Sequence, residues 1–128
     1  MKVPWASFNI KSIPGLPKNK WCSEDGFQIW CATYIRKHYP DVYFHHSANE
    51  RKGAKIGLLC KLKGQSKGFP DFLILGPSRP FKAIELKTLN NRASKEQFAW
   101  LAYFKKIGFH SEIVRTAERF IEVLEIRD

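Results

Sequence analysis

Three charged side chains stand where apolar strands ought to run. Asp71 opens the apolar run 72–75, while Glu85 and Lys87 belong to the run 81–86 and its continuation. Charged residues sit in such runs only when they are paired or have work to do there. The two runs are joined by Gly76-Pro77-Ser78-Arg79-Pro80, a hairpin signature. A turn centred on Ser78 pairs Leu75 with Phe81, Leu73 with Ala83, and Asp71 with Glu85. Directly opposed side chains have Cβ atoms ~4.5–5.5 Å apart on one sheet face, and strand alternation puts Lys87 on that face too. Two carboxylates so placed repel one another unless something neutralises them. A hard divalent cation with oxygen ligands would do so; it could activate a water and stabilise charge building on a phosphoryl group. Lys87 would add a fixed positive charge beside that phosphate. Charge placement alone equally allows an ion pair of Lys87 with Glu85 or Asp71 that merely solvates an edge strand.

The elements that must hold these residues are legible from punctuation and periodicity. Ser23 offers an N-cap, Glu24–His38 reads helical, and Pro40 stops it. Phe27, Trp30, Cys31, Tyr34 and Ile35 recur at helical spacing and form its buried stripe. Residues 41–46 read as a strand. Residues 50–69 form a long, mostly irregular basic segment with Arg51, Lys52, Lys55, Lys61, Lys63 and Lys67 against the single acid Glu50. Loops of that length in compact domains are usually functional or disordered. Ser94 caps a second helix that runs to about Ile107 and ends at Gly108. A strand over 112–116 and an amphipathic helix from Ala117 complete the chain. The first twenty residues, with Pro4, Pro14, Gly15 and Pro17 among lysines, read as an irregular basic arm. The expected order is α-β-β-β-α-β-α: an α/β chain with a central mixed sheet flanked by helices.

Composition narrows the function. A length of 128 residues implies a single domain, 1–128. With 44% hydrophobic residues, 27% charged and 18 aromatics, global disorder is excluded and a real core is available. No apolar run approaches the ~20 residues of a membrane span, and the start lacks an apolar signal stretch. A cytoplasmic protein is therefore expected, or a nuclear one if the host is a eukaryote. Cys22, Cys31 and Cys60 form no C-x-x-C pair, so they are expected to be reduced thiols rather than metal or redox ligands. There are 22 Lys+Arg against 12 Asp+Glu, a net charge of +10. The last 18 residues hold five acids and three bases, so the first 110 hold 19 bases and 7 acids. A basic body of this size seeks a polyanion, most commonly nucleic acid.

The wording of the charged runs adds a resemblance. Gly68-Phe69-Pro70-Asp71 followed by Ile84-Glu85-Leu86-Lys87-Thr88 resembles the PD-(D/E)XK nuclease superfamily, and more closely the virus-type replication-repair nuclease (VRR-NUC) domain. The likeness runs from about Glu24 to Thr116. It includes Glu24 with Gln28 on the first helix, the pair Asn49-Glu50, Ser94 with Gln97 on the next helix, and Gly108 before the last strand. Glu-x-Lys alone is weak; the ordered set is specific.

What the resemblance implies is a restriction-endonuclease-like core that hydrolyses DNA phosphodiesters with Mg²⁺ or Mn²⁺. Asp71 and Glu85 would be metal ligands, together with the Leu86 backbone carbonyl and Glu24, directly or through water. Lys87 would be the catalytic lysine, and Gln97 a catalytic-site residue that orients its neighbours or the substrate. The basic residues Arg51, Lys52, Lys55, Lys61, Lys63 and Lys67 would grip backbone phosphates without reading sequence. The family further suggests choice by DNA structure, such as branched junctions or flaps, a Holliday-junction resolvase role, and a homodimer. A non-catalytic basic nucleic-acid-binding module and a flap or sequence-specific nuclease are the competing classes. His45 and His46 are expected to pack or touch phosphate, for want of a second ligand cluster. Trp100, Tyr103, Phe104 and Ile107 are expected to be core or subunit interface rather than a base-stacking platform.

Overall fold

Capping fixes the helices. In the computed structural model, which describes residues 23–47, 58–59, 61–64, 66–88 and 90–127, the Ser23 hydroxyl accepts from the Gly26 amide and α1 spans Glu24–His38. The chain turns at Tyr39–Val42 and enters β1, Phe44–His46, shorter than the expected 41–46 because Val42 donates back to the Tyr39 carbonyl. Pairing still extends one residue outward, since Tyr43 exchanges backbone bonds with Gly76 and Leu75. β2 is Phe72–Ile74 and β3 is Lys82–Leu86. They pair antiparallel as Phe72↔Ile84, Leu73↔Ala83 and Ile74↔Lys82, the register the hairpin turn implies.

The second long helix, α2, spans Lys95–Lys106 behind a full capping box. Ser94 Oγ accepts from the Gln97 amide, and Gln97 Oε1 accepts from the Ser94 amide. β4 is His110–Val114, parallel to β3 from Lys82↔His110 to Leu86↔Val114. It lies two residues earlier than the expected 112–116, because Thr116 has another task. Its hydroxyl caps α3, Ala117–Glu125, by accepting from the Arg119 amide. The sheet order is β1-β2-β3-β4, mixed, with α1 and α3 on one face and α2 against β3 and β4 on the other.

The core lies on the α1/α3 face: Phe27, Trp30, Cys31 and Ile35 pack with Phe72, Ile84, Leu86, Val114, Phe120 and Val123. Tyr34, expected in the stripe, is only partly buried and stacks on Trp30 at 5.1 Å. The basic segment is not wholly irregular, since Leu58, Leu59, Lys61 and Leu62 are helical, closed by a Lys63 N–H to Leu59 carbonyl bond. The arm 1–20, the pair Asn49-Glu50, the bases Arg51, Lys52 and Lys55, and Cys22 and Cys60 lie outside the described residues. No helix among the described residues is long and apolar enough to cross a membrane.

Candidate active site

The site gathers where β2 begins and β3 ends. Strand alternation sends Ile84 and Leu86 into the core and turns Glu85 toward α2. Glu85 is 2% exposed and Asp71 9%, so both carboxyls are lodged inside the protein. Asp71 Oδ2 accepts from the Leu86 amide at 2.8 Å, which ties the start of β2 to the end of β3. Gln97 Nε2 donates to Glu85 Oε2 at 3.0 Å. The capping box that starts α2 therefore also sets the rotamer of the side chain touching Glu85. Lys87 Nζ stands 3.8 Å from Glu85 Oε2 and 3.8 Å from Glu24 Oε1, so the first turn of α1 reaches the same point from the other side of the sheet.

Glycine makes the junction possible. Gly68 has φ +83°, and a Cβ there would fall 2.7 Å from the Gln97 amide nitrogen and 2.7 Å from the Glu96 carbonyl carbon. Only a residue without a side chain lets the segment leading to Pro70-Asp71 lie against the first turn of α2.

The electrostatics are those of a site short of positive charge. Burial, then the neighbouring Asp71, pushes the Glu85 carboxyl up to about 9. Burial also raises Asp71, against the opposing pull of the Leu86 amide, and raises Glu24 despite Lys87 beside it. Glu85 Oε1 is buried with no hydrogen-bond partner. A buried acceptor without a donor costs on the order of 1–3 kcal/mol, more when charged. Among the described residues, no group of three or more His, Cys, Asp or Glu side chains is placed to hold a metal ion. The donor set nevertheless suits a hard cation: carboxylate oxygens, one of them orphaned, whose ionised forms burial disfavours.

Of the other singled-out residues, Lys61, Lys63 and Lys67 are exposed, and Lys67 makes a 4.0 Å pair with Glu96. Gln28 is half-buried on α1. His45 and His46 are exposed on β1, and the His46 ring lies 5.0 Å from Phe72. Phe104 is core, whereas Tyr103 and Ile107 are half exposed. Sequence reasoning missed Arg115, whose Nη1 donates to the Thr88 and Asn91 carbonyls and so clamps the loop that leaves Lys87. A lone arginine after a strand carries no spacing signal that could have found it.

Among the described residues the fold is α/β, three main helices on a four-strand mixed sheet, with two buried carboxyls where β2 begins and β3 ends. The VRR-NUC domain family matches residues 27–118, and the chain belongs to that family, which is a family of nucleases. A solved structure of a VRR_NUC domain protein superposes with a TM-score of 0.65 at 22% identity, over 80% of this chain and 84% of that one, a likeness of fold. A search of curated proteins found no relative.

Proposed function

We propose that this chain is a divalent-metal-dependent DNA endonuclease that selects branched or flap structures, with Holliday-junction resolution as one such activity. The observation that carries the reading is Glu85: a buried carboxyl with an orphaned oxygen, beside a second buried carboxyl, at a strand end within the span 27–118 that matches the family. Asp71, Glu85 and the Leu86 carbonyl would hold Mg²⁺ or Mn²⁺, with Glu24 joining directly or through water. When bound, the ion supplies an activated water and stabilises charge developing on the phosphoryl group.

The chain's own residues do the rest. Lys87, held between Glu24 and Glu85, would stand beside the scissile phosphate and balance its developing negative charge. Gln97 keeps Glu85 in one orientation. The Asp71 bond to the Leu86 amide fixes the spacing of the two strands that carry the carboxylates. Lys61, Lys63 and Lys67, with Arg51, Lys52 and Lys55, grip phosphates of any sequence. The whole chain would act as one domain in the cytoplasm.

One constellation cuts one strand. Paired incision of a junction therefore calls for a two-fold homodimer, which places identical sites on opposite strands; the exposed Ile107 at the end of α2 leaves apolar surface for it. The deciding experiment incubates linear duplex, flap and four-way DNA with the protein, with and without Mn²⁺, beside Asp71→Asn. Mn²⁺-dependent cutting of branched DNA, absent in the variant, is expected; binding without cutting would make the protein a non-catalytic module. Light scattering should show a dimer at micromolar concentration, and a monomer with and without junction DNA would shift the substrate to flaps or nicked duplex.

A further inference from the structure

One cleft of about 460 Å³ is not absorbed by that chemistry. It is lined by Glu96, Ala99, Trp100 and Tyr103 from one side of α2 and by Lys67 from the segment that precedes Asp71. Its volume falls in the range of small-molecule sites, ~300–1,000 Å³. It adjoins the candidate active site. Trp100 follows Gln97 by three residues, about 4.5 Å along the helix axis, and Lys67 precedes Asp71 by four, at most about 14 Å of chain.

We infer that this cleft receives an unpaired nucleobase of the DNA substrate, with Lys67 holding that nucleotide's phosphate. The inference rests on the nuclease reading and names the part of the substrate the site selects. Trp100 is a prepared wall, since Phe69 packs edge-on against it at 4.9 Å and Tyr103 stands perpendicular to it at 6.0 Å. Two aromatic planes at 90° suit a flat ring that stacks on one and meets the edge of the other. Ala99, the smallest residue of the lining, is exposed and puts little bulk beside the ring. Lys67 is 71% exposed, and its 4.0 Å contact with Glu96 is a surface pair weak enough for a phosphate to displace.

Charge decides the occupant. Lys67 belongs to the segment that also exposes Lys61 and Lys63 on a chain of net charge +10. A nucleotide phosphate is opposite in charge to these lysines, while the homodimer proposed above uses Ile107 at the end of α2 rather than Lys67 and Glu96. Paired bases are stacked inside their duplex and cannot enter. The cleft therefore favours DNA with unpaired nucleotides, such as flaps and branch points, over blunt duplex.

The test is equilibrium binding by fluorescence anisotropy in EDTA, where no cutting intervenes, using a flap and a blunt duplex of the same sequence. Trp100→Ala should lower the flap-to-duplex affinity ratio roughly ten-fold or more, the scale of a lost base stack. Trp100→Phe should restore most of that ratio. Tyr103→Ala, at a half-exposed position, should lower it by a smaller factor and keeps the test open if Trp100→Ala does not fold. A 2-aminopurine at the first unpaired position should be quenched by the wild-type protein and not by Trp100→Ala. An unchanged ratio, or equal losses on both DNAs, would overturn the inference. So would light scattering showing that both alanine variants dissociate a dimer while flap preference persists, because the cleft would then be a subunit interface. Since the readout is binding without metal, a protein that cuts nothing with Mn²⁺ yet loses flap preference in Trp100→Ala refutes the nuclease reading and leaves the cleft standing.

Discussion

The sheet carries two charged clusters, one in the middle of its edge strand β4 and one where β2 begins and β3 ends, and the two are built on opposite terms. On β4, Glu112 takes two hydrogen bonds from Arg119, 2.8 and 2.7 Å, and a 2.6 Å bond with His110 Nε2. Burial pushes Glu112 up, but the bonds and charges of Arg119 and His110 outweigh it, and its carboxyl lies below the ordinary range. At the end of β3, Glu85 is more deeply buried, is bonded by a neutral amide and by the Asp71 carboxyl rather than by a cation, and meets Lys87 only at 3.8 Å. Its carboxyl is pushed up to about 9. A cluster that exists for stability satisfies its charges within the chain. A cluster left unsatisfied by its own chain is where an outside cation and a substrate have something to add.

Substitution at the unsatisfied cluster should have the largest effect. Glu85→Gln removes charge that would hold the metal but no phosphate-binding base. Cleavage in Mn²⁺ should fall by roughly 10³-fold or more, while metal-free DNA binding measured by anisotropy at neutral pH survives, because a carboxyl held up to about 9 is already mostly protonated there. Cutting near the wild-type rate would remove Glu85 from the metal role. At the satisfied cluster the effect should be on stability alone. Glu112→Gln loses charge-assisted bonds that are partly open to solvent and should cost about 1–2 kcal/mol, read by urea denaturation, with cleavage per folded molecule unchanged. A loss of cleavage there would merge the two clusters into one functional unit.

The pH dependence separates them further. Glu85 binds its proton more tightly folded than unfolded, so between the ordinary glutamate value of 4.5 and about 9 the folded state holds more protons. Stability from this group is therefore present below that window and falls as pH rises through it. Thermal melts in EDTA should show the decline in wild type and a flatter profile in Glu85→Gln, whose melting point at pH 8.5 should exceed wild type by at least ~4 °C, about 1 kcal/mol for a domain of this size. Adding Mn²⁺ at pH 8.5 should raise the wild-type melting point and leave the variant where it was. Glu112, whose carboxyl is held below its ordinary value, works in the other direction: its contribution is lost as pH falls into the acid range. The smallest expected effect is on the exposed basic segment that holds Lys61, Lys63 and Lys67. Replacing Lys61, Lys63 and Lys67 with Ala should weaken binding to every DNA alike and flatten the salt slope by about 0.9 for each duplex phosphate no longer neutralised. An unchanged slope moves the phosphate grip elsewhere on the protein.

Much of this was decided locally and could be read along the chain. Ser23 and Ser94 announce α1 and α2 because a hydroxyl at an N-cap satisfies an amide three residues on, whatever lies beyond. The turn at 76–80 implied the β2–β3 register, and with it the meeting of Asp71 and Glu85, because a hairpin closes over a few residues. Where the expected elements differ, a neighbour claimed the residue: Thr116 left β4 to cap α3, and Leu58, Leu59, Lys61 and Leu62 are helical inside a segment whose charges promised no helix. What only the tertiary structure decided is how those residues are surrounded. Glu85 is buried because α2, which begins ten residues further on, covers that face of the sheet. Its Oε1 is orphaned because the donor that α2 supplies, Gln97, goes to Oε2. Lys87 meets Glu24 across 63 residues of sequence, Arg115 clamps Thr88 and Asn91, and Gly68 must lack a side chain because of Gln97 and Glu96, not because of its own turn alone. Desolvation and close approach are properties of the packed whole: they depend on which distant elements share a space, and no spacing along the chain encodes that.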